Sequence, residues 1–125
     1  MNPKKILIVD DEVDLVETIR FPLEGEGFKV LASYDGEDGL NQARKENPDL
    51  ILLDIMLPKL SGYKVCRLLK FDERYKHIPI LMLTAKTQEK DKTLGKETGA
   101  DEYITKPFDI EELLVKVKSY LCSKE

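Results

Sequence analysis

Leu50-Ile51-Leu52-Leu53-Asp54 is a run of four aliphatic side chains that stops on a carboxylate, and Ile6-Leu7-Ile8-Val9-Asp10-Asp11 repeats the arrangement with two. Near-continuous aliphatic runs of this length read as strands buried on both faces, the pattern of a parallel sheet. If both runs are parallel strands of one sheet, the three acids converge at the same edge. Three further apolar runs, Phe28–Ala32, Ile80–Thr84 and Tyr103–Thr105, alternate with stretches of helical periodicity or helix-start signals. That alternation favours an α/β layer fold with a doubly wound parallel sheet.

The intervening stretches carry their own boundaries. Leu15, Val16, Ile19 and Leu23 recur at helical spacing, and Gly25 and Gly27 supply a stop. Pro22 interrupts that pattern: an interior helical proline costs about 3 kcal/mol, so the helix is expected to kink or end near it. Asp35-Gly36-Glu37-Asp38 opens a second helix that turns Leu40 and Ala43 inward until Asn47-Pro48. A third, capped by Ser61, is expected to set Tyr63, Cys66, Leu68 and Leu69 toward the sheet, and a polar loop, Asp72–Ile78, follows it. A fourth, near Gln88–Thr98, has Leu94 as its only large apolar residue, which predicts few core contacts and easy movement. The last opens with the capping box Asp109-Ile110-Glu111-Glu112 and places Ile110, Leu113, Leu114, Val117 and Leu121 in register.

Composition limits what the acids can be doing. A chain of 125 residues, 42% hydrophobic, is enough for a single domain spanning 1–125. The 24 acidic and 20 basic side chains give a net charge of −4, the wrong sign for binding a phosphate backbone, so no direct contact with nucleic acid is expected. No apolar stretch approaches the roughly 20 residues of a membrane span, and the run before Asp10 is too short for a signal-peptide core. A cytoplasmic location is expected. Cys66 and Cys122 lack metal-ligand spacing and read as ordinary thiols, and His77, the only histidine, reads as surface loop structure.

In a doubly wound sheet, chemistry sits beyond the carboxyl ends of the strands. Asp10, Asp11, Asp54, Thr84 and Lys106 fall on that one rim. Singly, each has a plainer reading. Asp11, Glu12 and Asp14 would complement the positive end of a helix. Asp54 would be a solvated loop acid, Thr84 a strand-end hydroxyl and Lys106 a surface lysine beside a turn proline. Their joint placement favours chemistry. Three close carboxylates repel one another and call for a cation. A hard ion such as Mg²⁺ suits a small acidic rim, taking one or two carboxylates and retaining waters. Lys106 and Thr84 could stabilise the equatorial oxygens of a transferring phosphoryl group, and a carboxylate can be the nucleophile that receives it. Asp54 is the natural choice.

These residues lie in four ordered blocks: Ile8-Val9-Asp10-Asp11-Glu12; Leu53-Asp54-Ile55-Met56-Leu57-Pro58 with Gly62; Leu83-Thr84-Ala85; and Gly99-Ala100-Asp101-Glu102-Tyr103-Ile104-Thr105-Lys106-Pro107-Phe108. The chain thereby resembles, over essentially its whole length, the receiver domain of bacterial two-component response regulators. The resemblance implies a three-layer fold with the flavodoxin-like strand order 2-1-3-4-5 and five helices. It implies that Asp54 is the phosphoacceptor, served by a sensor histidine kinase or a histidine phosphotransfer protein. Mg²⁺ would be held by Asp11 and Asp54 directly, by Asp10 through water and by the backbone carbonyl of Met56. Lys106 would pair with Asp54 and then with the phosphoryl group. Thr84 would move to a phosphoryl oxygen with Tyr103 following inward, and the bond before Pro107 would be cis.

The same resemblance suggests an output surface on the fourth helix, last strand and last helix, where Lys92, Asp101, Glu102, Glu112 and Lys116 have charges suited to a self-dimer; a downstream protein target is the other possible partner. The resemblance also implies that the side chains two residues after Asp54 and Thr84 flank the route of hydrolytic water; here they are Met56 and Lys86, neither of which can readily act as a base, which predicts a phosphoryl state longer-lived than in fast chemotaxis regulators. Rival classes fare worse. A phosphatase of the haloacid-dehalogenase type wants an acid where Met56 stands, and a flavodoxin needs a phosphate loop where Asp10-Asp11-Glu12 would repel one. A degenerate binding module would not need the full set of reactive residues.

Overall fold

The structure, a computed structural model, describes residues 3–85 and 99–121. The elements run β1 (Lys5–Val9), α1 (Val13–Gly25), β2 (Lys29–Ser33), α2 (Gly36–Glu46), β3 (Leu50–Asp54), α3 (Gly62–Lys70), β4 (Ile80–Ala85), β5 (Glu102–Lys106) and α4 (Ile110–Leu121). All strand pairings are parallel, in the order β2-β1-β3-β4-β5. That is the expected sheet, with four helices among the described residues. The helix expected near Gln88–Thr98 lies outside the described residues, as do Lys86, Lys92 and Cys122. Among the described residues no helix is long and apolar enough to cross a membrane.

Alternation along each strand divides the core into two layers. Ile6, Ile8, Leu50, Leu52, Leu81 and Leu83 face Val16, Ile19, Leu23, Leu113 and Val117. Leu7, Val9, Ile51, Leu53, Ile80 and Met82 face Leu40, Ala43, Val65, Cys66 and Leu69. Each fully buried aliphatic side chain contributes about 1.5–3 kcal/mol, which is why the central strands carry polar residues only toward their ends: Lys5 opens β1, Asp54 closes β3 and Thr84 is next to last in β4.

Local chemistry sets the helix boundaries. Asp35 caps α2 by accepting the Asp38 amide at 2.7 Å, and Ser61 caps α3 by accepting the Lys64 amide at 3.3 Å. Asn47 ends α2 in the left-handed region at φ 48°, a conformation Asn tolerates better than most residues. α1 ends at Gly25, within a turn of Pro22 as expected, and Ile19 and Leu23 on either side of the proline are fully buried and hold that last turn in place. One expectation needs correcting: on α3, Val65 faces the sheet and Leu68 is 38% exposed, so the inward stripe is Val65, Cys66 and Leu69, with Tyr63 packed at its edge.

Candidate functional site

Strand register brings the acids together. Val9 pairs with Leu53, so Asp10 and Asp11 leave β1 beside Asp54, the last residue of β3. One carboxylate oxygen from each of Asp10, Asp11 and Asp54 lies within 4.8 Å of the others. Asp10 and Asp54 are buried and Asp11 is exposed. Lys106, which ends β5, reaches this cluster from across the sheet: its Nζ lies 2.9 Å from Asp10 Oδ2, 3.1 Å from Glu12 Oε1 and 3.6 Å from Asp54 Oδ1.

The loop after Asp54 is pinned by close backbone contacts. The Gly62 amide donates to the Ile55 carbonyl at 2.8 Å, and a Cβ at position 62 would lie 2.0 Å from the Asp54 carbonyl oxygen. Only glycine allows α3 to begin that close to the end of β3. The Gly36 amide donates to the Pro58 carbonyl at 3.1 Å and ties the same loop to α2. Asp11, Ile55, Met56, Pro58 and Ser61 line an open cavity there, with the Met56 side chain 65% exposed.

Electrostatics follow from this geometry. Burial, and next the negative charge of Asp10, push the Asp54 carboxyl up to about 6; Lys106 opposes this and Asp11 adds to it. Burial alone would pull Lys106 down, but its contacts with Asp10, Asp54 and Glu12 outweigh it and hold the ammonium above its ordinary value. Three carboxylates, those of Asp10, Glu12 and Asp54, thus share one ammonium, and Asp11 adds a fourth negative charge beside them. The residues present fit a hard divalent cation: oxygen donors only, at a solvent-open rim, with excess negative charge and a nearby lysine that cannot itself neutralise them all.

Thr84 is fully buried, its hydroxyl donating to the Ala85 carbonyl at 3.2 Å. Tyr103 is half-buried and packs on the core layer that contains Met82, its partner across the β4–β5 ladder. Burial, then the neighbouring Cys66 and Tyr63, push its phenol up to about 12. The Lys106–Pro107 peptide is cis.

The structure departs from the sequence reading in how charges are partnered. Lys106 sits nearest Asp10 rather than Asp54, and Glu12, to which the sequence assigned no contact with Lys106, holds it from the solvent side. Of the charges assigned to a dimer face, Asp101 accepts the Ile80 amide at 2.8 Å and Lys70 Nζ at 2.9 Å. Glu102 accepts from Lys116 at 2.7 Å and from the Tyr120 hydroxyl at 3.0 Å. These side chains are partnered within the chain. Glu112 lines a shallow cavity on α4 with Val115 and Lys116.

Residues 6–118 match the family model of the response regulator receiver domain. The chain is 50% identical over 122 residues, 98% of its length, to the alkaline phosphatase synthesis transcriptional regulatory protein PhoP of Bacillus subtilis, and it spans 50% of that protein. Among solved structures it is similar to the chemotaxis response regulator CheY4 of Vibrio cholerae, with a TM-score of 0.88 and 32% identity over 95% of this chain and 99% of that one. It is also similar to the receiver domain of the sensor histidine kinase PA1611 of Pseudomonas aeruginosa, with a TM-score of 0.88 and 30% identity over 98% of this chain and 100% of that one; that structure holds a magnesium ion in its active-site cleft.

Proposed function

Because the chain belongs to the receiver-domain family of two-component response regulators, we propose that Asp54 accepts a phosphoryl group from a phosphohistidine on a sensor histidine kinase or histidine phosphotransfer protein. The observation that carries this is the meeting of carboxylate oxygens from Asp10, Asp11 and Asp54 within 4.8 Å. In this reading an Asp54 oxygen forms the new O–P bond as the donor's N–P bond breaks, and the electron pair returns to the histidine nitrogen. Mg²⁺ would be held by Asp11 and Asp54, by Asp10 through water and by the Met56 carbonyl. When bound it supplies positive charge that offsets the carboxylates and the incoming phosphoryl oxygens.

The protein's own groups do the rest. Lys106 turns from Asp10 and Glu12 to a phosphoryl oxygen, and the Thr84 hydroxyl leaves the Ala85 carbonyl to donate to another. Thr84 and Tyr103 project to the same face of the sheet, since Thr84 is two residues from Met82 and Met82 pairs with Tyr103. Movement of one therefore opens space for the other. The new charge biases a two-state equilibrium whose output is the surface of β5 and α4 together with the segment in which a helix is expected near Gln88–Thr98, read by a partner protein or a second copy. The domain is a signalling acceptor that promotes its own phosphorylation and dephosphorylation rather than a turnover enzyme. With its negative net charge, residues 1–125 act without touching nucleic acid.

The test is intact mass after incubation with acetyl phosphate and Mg²⁺. A phosphoryl gain that requires both metal and Asp54, absent in Asp54→Asn, is the expected result; no gain on folded protein would favour a binding module without phosphoacceptor chemistry. The exposed thioether of Met56 cannot orient a water, so Met56→Asn, which adds a hydrogen-bonding group but no base, is expected to shorten the lifetime of the phosphorylated form by well under the roughly 100-fold of a true general base. An unchanged decay by mass spectrometry would refute the assignment of lifetime to this position.

A further inference from the structure

At the end of the sheet opposite the acid rim, the last turns of α2 and α3 and the turn after α3 border an open cavity of about 640 Å³, lined by Arg44, Arg67, Leu68, Phe71, Asp72 and Arg74. Its charges fall into two groups. Arg74 is engaged within the chain, its Nε and Nη2 on the Asp72 carboxylate at 3.1 and 2.9 Å and its guanidinium 5.1 Å over the Tyr75 ring. Glu73, which also lines the groove, pairs with Lys76 at 3.0 Å. Arg74, and at longer range Arg44, hold the Asp72 carboxyl below its usual range. Among the described residues, however, neither Arg44 nor Arg67 has a carboxylate at ion-pair distance.

The negative ends of the helix dipoles account for cations in these last turns. They do not account for the apolar surface beside them. Leu68 is 38% and Phe71 65% exposed, and neither serves the core. Arg67 lies 5.7 Å over the Phe71 ring, which orients its guanidinium while leaving its N–H fork able to take a carboxylate.

We propose that this groove docks an acidic, apolar segment of a partner protein, with carboxylates on Arg44 and Arg67 and a leucine- or phenylalanine-like side chain against Leu68 and Phe71. Charge complementarity selects the occupant. The chain has a net charge of −4, so the rest of its surface repels a polyanion such as nucleic acid. A free phosphate would satisfy the arginines and leave Leu68 and Phe71 uncovered. A short segment with acids flanking an apolar residue matches both halves of the groove. The site is remote from Asp54 and does not depend on phosphoryl transfer.

The experiment is a ¹⁵N chemical-shift titration of the 125-residue chain with a blocked octapeptide whose glutamates flank a leucine and a phenylalanine. The control peptide carries glutamines in place of the glutamates, and inorganic phosphate is the third probe. Saturable shifts confined to the ends of α2 and α3, weakened about tenfold in Arg44→Gln/Arg67→Gln through loss of two exposed ion pairs, are expected. Phe71→Ala should weaken binding while leaving the circular dichroism unchanged. Equal binding of the glutamine peptide, shifts elsewhere on the surface, no saturable shift up to millimolar peptide, or full reproduction of the shifts by phosphate alone would each overturn the proposal.

Discussion

Asp54 is an acid that the fold holds at a disadvantage. Its carboxyl sits at about 6, against 3.8 for an unperturbed side chain, so between roughly pH 4 and 6 the folded protein binds a proton that the unfolded chain releases. The sign follows: the associated stability is fully present below about pH 4 and is lost as pH rises through 6. Asp54→Asn is therefore expected to stabilise the metal-free protein at pH 7.5 by about 1–3 kcal/mol, and by much less at pH 4, in urea unfolding. Saturating Mg²⁺ should shrink the difference by stabilising the native protein. Glu12 permits a second check. It holds Lys106 at 3.1 Å while Asp54 is at 3.6 Å, so Glu12→Gln is expected to release the ammonium toward Asp54 and lower the Asp54 carboxyl in a ¹³C NMR titration. An unmoved or higher value would show that Glu12 does not restrain Lys106. The acids and Thr84 were legible because each stands at the end of an aliphatic strand, and Lys106 because it stands in an ordered motif block at the end of the half-buried β5. Glu12 was not, since its contact with Lys106 joins residues 94 apart whose strands are not neighbours.

The helices were read less evenly, for reasons of period and context. Asp35 and Ser61 announce α2 and α3 because a cap is local chemistry, complete within four residues. The face that α3 buries is not local. Over nine residues a 3.6-residue period accommodates Val65 or Leu68 about equally, and the packing between Cys66 and Leu69 decides for the smaller, β-branched side chain. Pro22 marks the end of α1 only to within a turn, because propensity prices the lost hydrogen bond but not the burial of Ile19 and Leu23, which carries the helix on to Gly25. At the start of α3 the constraint is steric. Gly62→Ala would press a methyl against the Asp54 carbonyl, and is expected to destabilise by about 2–4 kcal/mol in urea and to shift the Ile55 amide resonance. A silent substitution would mean that α3 can retreat from β3 without disturbing the site.

Across the whole molecule, alternating runs of aliphatic and periodic sequence led to the sheet and its layers, and familiar motifs led to the strand order. Partnering at the sheet's ends was not accessible by either route. Asp101 joins three elements: its Oδ2 accepts the first amide of β4 and the ammonium of Lys70, which also donates to the Ile78 carbonyl at 2.9 Å. Asp101→Ala leaves a partly buried amide and an ammonium without this acceptor, and is expected to cost about 1–3 kcal/mol by urea midpoint while leaving the affinity for Mg²⁺ unchanged. A large loss of metal affinity would place Asp101 in the acid rim's network instead. The stretch from Ile55 to Ser61 differs from the other connections. The bonds from Gly62 to Ile55 and from Gly36 to Pro58 fix its two sides, and Lys59 is held at φ 70° between them. Such a connection has, in effect, a counted length. A residue inserted or deleted there displaces Asp54 itself, whereas the Asp72–Ile78 turn lies far from the rim. A tag, a reporter or a second domain that must leave Asp54 in place therefore never belongs in the former.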